Sequence, residues 1–179
     1  MGGMYDHSQT LVDLINERQI GTFAEIGVWK GKTARFILRN KVPSLKIYWG
    51  IDQYKRLDER HGHMSFLSCE DWDGKYLREC QDMYYFDRFR IVRAPSLDAC
   101  KIFPDQYFDL VFIDGSHFGK DVIDDINAWL PKVKIGGMLA GHDYNSTRHT
   151  EVKPAVDKTL PNITTSKLGL VWQYEKKTP

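Results

Sequence analysis

Short apolar runs alternate with amphipathic segments along the chain. Buried parallel strands are apolar on both faces, whereas the helices that connect them are apolar on one face. Runs of the first kind predict five strands, at residues 22–28, 45–52, 89–94, 108–115 and 138–144. Two β-rich segments near the end, 163–167 and 168–177, predict short closing strands, the last of them antiparallel. The pattern predicts an α/β fold with a doubly wound, mostly parallel, seven-stranded sheet and helices on both faces.

Apolar residues at helical spacing predict the connecting helices. They fall in residues 8–18, 31–40, 71–83, 120–130 and 152–160. Ser8 is a candidate N-cap of the first helix, and Gly136–Gly137 a candidate turn after the fourth. Residues 54–85 form a long, charged and aromatic connection, where we expect the determinants of specificity.

Composition restricts the class of protein. A chain of 179 residues that is 42% hydrophobic and 27% charged predicts one ordinary globular domain over residues 1–179. A net charge of +1 gives no broad basic field for nucleic acid or an anionic membrane. We therefore expect a small-molecule partner, with neither nucleic acid nor a membrane, and keep a homodimer as a candidate assembly.

The cysteines and the first residues bear on the compartment. Three cysteines are an odd number and lack paired metal-ligand spacing. The first ten residues lack the basic and then apolar pattern of a signal peptide. Both features favour reduced thiols and a cytoplasmic location.

Polar residues follow most of the predicted strands. In an open α/β sheet, ligands bind outside the carboxyl ends of the strands. The polar residues at or near these ends are Glu25, Asp52, Ser96, Asp98, Asp114, His142 and Asp143. The carboxylate of Asp52 can accept two hydrogen bonds from a ribose diol, the alternative being a solvated strand-end acid.

The loop after the first strand argues against a dinucleotide. A G-x-G-x-x-G fingerprint laid over residues 25–30 fails at Glu25 and Lys30. A carboxylate near a pyrophosphate would cost roughly 1 to 4 kcal/mol in repulsion. S-adenosylmethionine carries an ammonium and a sulfonium, so Glu25 favours this ligand. Gly27 and Gly31 would let the backbone approach it.

Four segments, in this order, resemble a known family. They are "AEIGVWKGKTA", "WGID", "RAPSLDA" and "FDLVFIDGSHFGKDVIDDINAWLPKVKIGGMLAGHDY". The chain is similar, over roughly residues 20–175, to class I S-adenosylmethionine-dependent methyltransferases. Within that class it resembles the O-methyltransferases that act on small-molecule hydroxyls of antibiotic and sugar type. The resemblance implies a Rossmann-like fold and S-adenosylmethionine as cofactor.

The resemblance also implies a donor site. Glu25, Gly27 and Gly31 match the loop on the methionine side of the donor. Asp52 matches the ribose-binding acid, and Ser96 the position on the adenine side.

On the acceptor side, the resemblance implies a catalytic and metal-binding region. Asp114 lies where related enzymes have an acid near the donor and, in metal-using members, a magnesium ligand. His117 corresponds to a general base, and His142 and Asp143 are further candidate metal ligands. A hard ion prefers oxygen, which favours Asp114 and Asp143 over His142. Some metal-using relatives have two adjacent acids where this chain has His142–Asp143, so magnesium stays a candidate cofactor.

Three functions remain open from the sequence. The first is methyl transfer from S-adenosylmethionine to a small-molecule hydroxyl, with His117 and Asp114 as catalytic residues. The second is a nicotinamide-dependent oxidoreductase, which Glu25 and the missing glycines disfavour. The third is a non-catalytic nucleoside-binding module, because a fold does not fix a function.

Overall fold

Seven strands form one sheet in the computed structural model, which describes residues 6–55, 69–83 and 86–178. The strands are β1 (Thr22–Ile26), β2 (Ile47–Asp52), β3 (Phe89–Arg93), β4 (Phe108–Ile113), β5 (Val133–Gly141), β6 (Thr164–Thr165) and β7 (Trp172–Glu175). Their spatial order is β3-β2-β1-β4-β5-β7-β6. The first five strands pair in parallel, and β7 is antiparallel to both β5 and β6. The predicted α/β fold and its antiparallel last strand are confirmed.

Helices cover both faces of this sheet. They are α1 (Asp6–Glu17), α2 (Lys32–Arg39), α3 (Cys69–Met83), α4 (Ser96–Ala99), α5 (Gly119–Trp129) and α6 (Val152–Thr159). One buried cluster joins α1 and α2 to the face of β1 that carries Phe23. A second cluster joins α4, α5 and α6 to the opposite face, with Ala24 and Ile26 of the same strand. Because side chains alternate along a strand, burial on both faces explains the continuous apolar runs in the sequence.

The strand order places a crevice between β1 and β4. Strand β1 lies between β2, the next strand along the chain, and β4 on its other side. The order of the strands reverses at this point. Backbone hydrogen bonds continue past the ends of the strands, from Gly27 N to Ile51 O and from Asp114 N to Ile26 O, both 2.8 Å. The residues that follow β1 and β4 therefore lie side by side at this edge.

Two local predictions are wrong. Ser8 lies inside α1 and is buried, so it does not cap that helix. Gly136 and Gly137 lie within β5, which begins at Val133. Gly136 N donates to Lys176 O (2.7 Å), so the glycine pair is bonded to the segment after β7 and forms part of the sheet.

The expected specificity segment is described in part. Its later portion forms α3, as predicted, whereas residues 56–68 and 84–85 lie outside the described residues. In the described ranges no helix has the length and apolar character needed to cross a membrane. The single domain over residues 1–179 and the cytoplasmic location stay predictions.

Candidate active site

Most of the predicted site residues line one cleft at the carboxyl ends of the strands. They are Glu25, Gly27, Asp52, Ser96, Asp114, His117 and Asp143. His142 instead lines a small separate cavity, together with Val152 and Trp172. The structure therefore brings the predicted donor and acceptor residues to the same cleft.

A glycine is required at position 27 because the backbone that follows β4 passes close to it. Gly27 has φ +96°, and a Cβ on this residue would lie 2.2 Å from the carbonyl oxygen of Asp114. The sequence-based reason for this glycine, access of a ligand to the backbone, was therefore incomplete. Gly31 is the N-cap of α2 in the left-handed conformation (φ 58°), and no side chain caps the helix there.

Asp52 holds the donor loop in place. Its Oδ2 accepts a hydrogen bond from Trp29 N and its Oδ1 accepts one from Tyr54 N, both 2.8 Å. Burial raises the pKa of Asp52, although the backbone N–H groups of Tyr54 and Trp29 oppose that shift. A carboxylate has about four acceptor positions, so acceptor capacity remains for a ligand beside these backbone donors. These contacts do not fit a solvated strand-end acid.

Glu25 is a buried acid in the wall of the cleft. It lies in β1, one residue before the end of the strand, and is 1% exposed. Its Oε2 accepts a hydrogen bond of 2.6 Å from the hydroxyl of Tyr48. Burial and the carboxylate of Glu25 raise the pKa of Tyr48, which keeps this phenol protonated and donating.

Ser96 belongs to a partly buried hydrogen-bond chain that the sequence did not predict. Its Oγ donates to Asp125 Oδ1 (2.5 Å) and accepts from Trp129 Nε1 (2.8 Å). Asp125 is 6% exposed, and burial raises its pKa to about 6. The signal for Asp125 was present in the sequence, because this acid interrupts the apolar stripe formed by Val122, Ile126 and Trp129.

The predicted acceptor-side residues form one cluster of acids and histidines. Asp143 Oδ2 is 2.9 Å from His117 Nε2 and 3.2 Å from His142 Nδ1. Asp114 Oδ1 is 3.5 Å from His142 Nδ1 and 4.0 Å from His117 Nε2. His149 was missed, because it lies in a polar loop without a motif. Its ring stacks on that of His117, with 3.8 Å between the ring centres.

The carboxylates control the charge of this cluster. Burial lowers the pKa of His142, but hydrogen bonds to Asp114 and Asp143 outweigh burial and raise this pKa to about 10. Burial raises the pKa of Asp143, but its hydrogen bonds with His117 and His142 outweigh burial and hold this pKa well below the usual range. Burial and nearby His117 lower the pKa of His149. At neutral pH, His142 is therefore a cation between two carboxylates.

Residues 24–144, which include all of the predicted site residues, match a family model described as a methyltransferase domain. This chain belongs to that methyltransferase family. The predicted class of S-adenosylmethionine-dependent methyltransferase is confirmed, together with its cofactor. The nicotinamide-dependent alternative has no support from the match.

Three proteins similar to this methyltransferase share little sequence identity with it. An uncharacterized protein of Acanthamoeba polyphaga mimivirus is 28% identical over 164 residues, which are 90% of this chain and 70% of that protein. A methyltransferase of Podospora anserina, solved with S-adenosylhomocysteine bound, has a TM-score of 0.68 at 13% identity. The O-methyltransferase NovP has a TM-score of 0.66 at 18% identity. Each likeness covers 96% of this chain and 78% of the solved one, and at these identities it shows the fold alone.

The cluster of this methyltransferase has donor atoms that fit a divalent ion. One oxygen each of Asp114 and Asp143 and a nitrogen of His142 lie within 4.8 Å of one another. His142 Nδ1 can be a ligand only when it is deprotonated; otherwise the two carboxylates would hold the ion alone.

A second set, His117, Asp143 and His149, suits an ion less well. Its two imidazole rings are stacked at an angle of 21°. An ion in the plane of one ring would therefore lie outside the plane of the other.

Proposed function

We propose that this methyltransferase transfers the methyl group of S-adenosylmethionine to a hydroxyl of a small molecule, with His117 as general base. The observation that carries this proposal is the 2.9 Å contact between His117 Nε2 and Asp143 Oδ2. Both side chains line the cleft that contains Asp52 and Glu25. A base oriented by a carboxylate thus lines the same cleft as the residues suited to the donor.

The donor side of the cleft fits the charges of S-adenosylmethionine. The remaining acceptor capacity of the Asp52 carboxylate suits the hydroxyls of a ribose. The buried carboxylate of Glu25 suits the cationic methionine portion and would repel a phosphate. A Podospora anserina methyltransferase of similar fold was solved with S-adenosylhomocysteine bound, which supports a donor of this class.

His117 takes the acceptor proton in this proposal. S-adenosylmethionine supplies an electrophilic methyl, which the acceptor oxygen attacks as the methyl–sulfur bond breaks and its electron pair stays on sulfur. His117 donates its Nε2 hydrogen to Asp143, which leaves Nδ1 as the basic nitrogen for the hydroxyl proton. The Asp143 carboxylate stabilises the imidazolium that forms, and Asp114 adds a second negative charge at 4.0 Å.

Magnesium is the second proposed cofactor. Asp114 and Asp143 would hold it, and His142 would add a nitrogen donor only after losing its Nδ1 proton. A bound divalent ion lowers the pKa of a coordinated hydroxyl. We expect a chelator to reduce turnover and magnesium to restore it, and Asp143→Asn to raise the magnesium requirement. Turnover that is unaffected by the chelator would exclude the ion.

An acceptor screen tests the proposed reaction. Isotopically labelled S-adenosylmethionine is incubated with the protein and a panel of phenols, sugars, amines and thiols, and products are identified by mass spectrometry. We expect label on the oxygen of a hydroxyl compound, in keeping with the similar fold of the O-methyltransferase NovP. Label on nitrogen or sulfur alone would contradict the acceptor class. Binding of S-adenosylhomocysteine without any product would favour the non-catalytic nucleoside-binding module.

The other predicted partner properties stay predictions. The net charge of +1 supports a small acceptor over nucleic acid or a membrane. The described contacts all lie within one chain, so they do not test the predicted homodimer.

A further inference from the structure

We propose that the acceptor of this methyltransferase carries an anionic group, a phosphate or a carboxylate, and that α2 binds this group through Arg39. The inference rests on the proposed methyl transfer and names the chemical class of its second substrate. It assigns a binding role to a helix face that neither the motifs nor the family match singled out.

Positive charge is concentrated in the segment that contains α2. Residues 26–51 contain six lysines and arginines and no aspartate or glutamate. The whole chain has a net charge of only +1, so the remaining residues are acidic overall. Such a segment attracts anions, because no carboxylate within it offsets the positive charge.

The cations of α2 lie on one face of the helix, and this face lines the cleft. Arg35, Phe36 and Arg39 follow Lys32 by three, four and seven residues, which is the spacing of one helical face. All four residues line the cleft. The opposite face of α2 is buried in the core. The helix therefore presents a cationic surface with one aromatic ring to a ligand in the cleft.

Arg39 has hydrogen-bond donors available for a ligand. The residue is exposed, and within the described part of the chain it makes no ion pair. A guanidinium can bind a phosphate or a carboxylate through two parallel N–H groups. Lys41, two residues later, is also exposed but lies outside the lining of the cleft. The two residues are therefore a matched pair for an experiment.

The first turn of α2 adjoins the catalytic cluster. His7 Nε2 lies 3.0 Å from Thr33 Oγ1, and the ring centre of His7 lies 4.5 Å from that of His142. His142 in turn contacts Asp143 at 3.2 Å. Arg39 lies about 9 Å farther along the helix axis than Thr33. An acceptor with its hydroxyl at the cluster can therefore extend along α2 toward Arg39.

The size and the charges of the cleft favour such an acceptor. The cleft has a volume of about 1660 Å³, whereas a pocket for one small ligand has roughly 300 to 1,000 Å³. It therefore has room for an acceptor beside the donor. The carboxylates of Asp114 and Asp143 would repel an anionic group, which favours an orientation with the hydroxyl at the cluster and the anion at α2.

Titrations of the complex with S-adenosylhomocysteine test the proposal without the natural acceptor. The probes are glycerol 3-phosphate, glycerate and glycerol, which share a three-carbon skeleton and differ in the anionic group. Binding is measured from chemical-shift changes in NMR spectra at constant ionic strength. We expect at least one anion to bind roughly tenfold or more tightly than glycerol, and Arg39→Gln to lower this preference by about tenfold. The anion that binds more tightly identifies the group as a phosphate or a carboxylate.

The control Lys41→Gln removes the same charge outside the cleft and should leave the preference unchanged. Equal effects of the two substitutions would indicate diffuse attraction and overturn the proposal. A preference lost in Arg148→Gln but kept in Arg39→Gln would also overturn it, because Arg148 lines the cleft next to His149.

The parent protein tests the proposal without any variant. If it binds glycerol as tightly as the anions, or binds none of the probes, the proposal is wrong. Binding of S-adenosylhomocysteine is measured first on the same sample. Its absence would refute the donor assignment, whereas donor binding without a preference for anions would refute the anionic acceptor alone.

Discussion

Replacement of Asp52 by alanine should weaken both the donor site and the loop that forms it. The ribose assignment by itself predicts a loss of donor binding with the fold intact. In the structure, the carboxylate also accepts the N–H groups of Trp29 and Tyr54, both at 2.8 Å. Trp29 has φ 47°, an uncommon conformation for a residue with a side chain, so its loop depends on this contact.

The magnitudes follow from the number of hydrogen bonds. Loss of bonds from a ligand to a charged group costs about 1.5 to 3 kcal/mol, or roughly a 10- to 150-fold higher Kd for S-adenosylhomocysteine. The backbone N–H groups of Trp29 and Tyr54 can partly bond to water instead, so we expect the free energy of unfolding to fall by about 1 to 3 kcal/mol. The exposed acid Asp105, which pairs with Lys132, is the control, and Asp105→Ala should change stability by less than about 0.5 kcal/mol.

Calorimetric titration and urea unfolding measure the two effects on the same samples. We expect Asp52→Ala to lose both affinity and stability, and Asp105→Ala to lose neither. Folded Asp52→Ala that binds S-adenosylhomocysteine within twofold of the parent would refute the ribose assignment. Unchanged stability would instead refute the role of Asp52 in holding the loop.

Three further predictions concern the glycine loop, α5 and the base. Gly27→Ala should lower the free energy of unfolding in urea by about 3 kcal/mol or more, because its Cβ meets Asp114 O. The control Gly136→Ala has φ +77° but nothing within 4 Å of the added Cβ, and should lose only about 1 kcal/mol. Equal losses in the two variants would contradict the steric argument. The pKa of Asp125 is raised from 3.8 to about 6, so the native state binds this proton more tightly and loses stability as the pH rises between these values. Relative to Asp125→Asn, the parent should therefore lose up to about 3 kcal/mol between pH 4 and 6.5 in unfolding experiments, and parallel curves would show that burial does not raise this pKa. His117→Ala should reduce turnover by roughly 10²- to 10⁴-fold while S-adenosylhomocysteine binds as in the parent, and full activity would remove His117 as the base.

The sheet was predictable because burial on both faces leaves a direct signal in the sequence. The strand that carries Phe23 and Ala24 is apolar on both sides, since one residue faces each helical layer. The start of β5 was missed because Gly136 and Gly137 resemble a turn in the sequence. Their pairing with the segment around Lys176, about forty residues later, depends on contacts that local patterns do not carry.

The candidate site was predictable where a residue follows a strand. Asp52, Asp114 and Asp143 were found because the carboxyl ends of parallel strands share one edge of the sheet. Asp125 and His149 were missed, since a helix and a loop bring them to that edge by packing. The double role of Asp52 and the contact of Gly27 with Asp114 are also tertiary features.

The most direct test of the central claim is a crystal structure of the complex with S-adenosylhomocysteine. The account predicts both ribose hydroxyls at about 3 Å from the Asp52 carboxylate, with the sulfur facing the pair His117 and Asp143. The ligand bound away from Asp52, or with its sulfur directed away from His117, would contradict the donor site and the proposed methyl transfer.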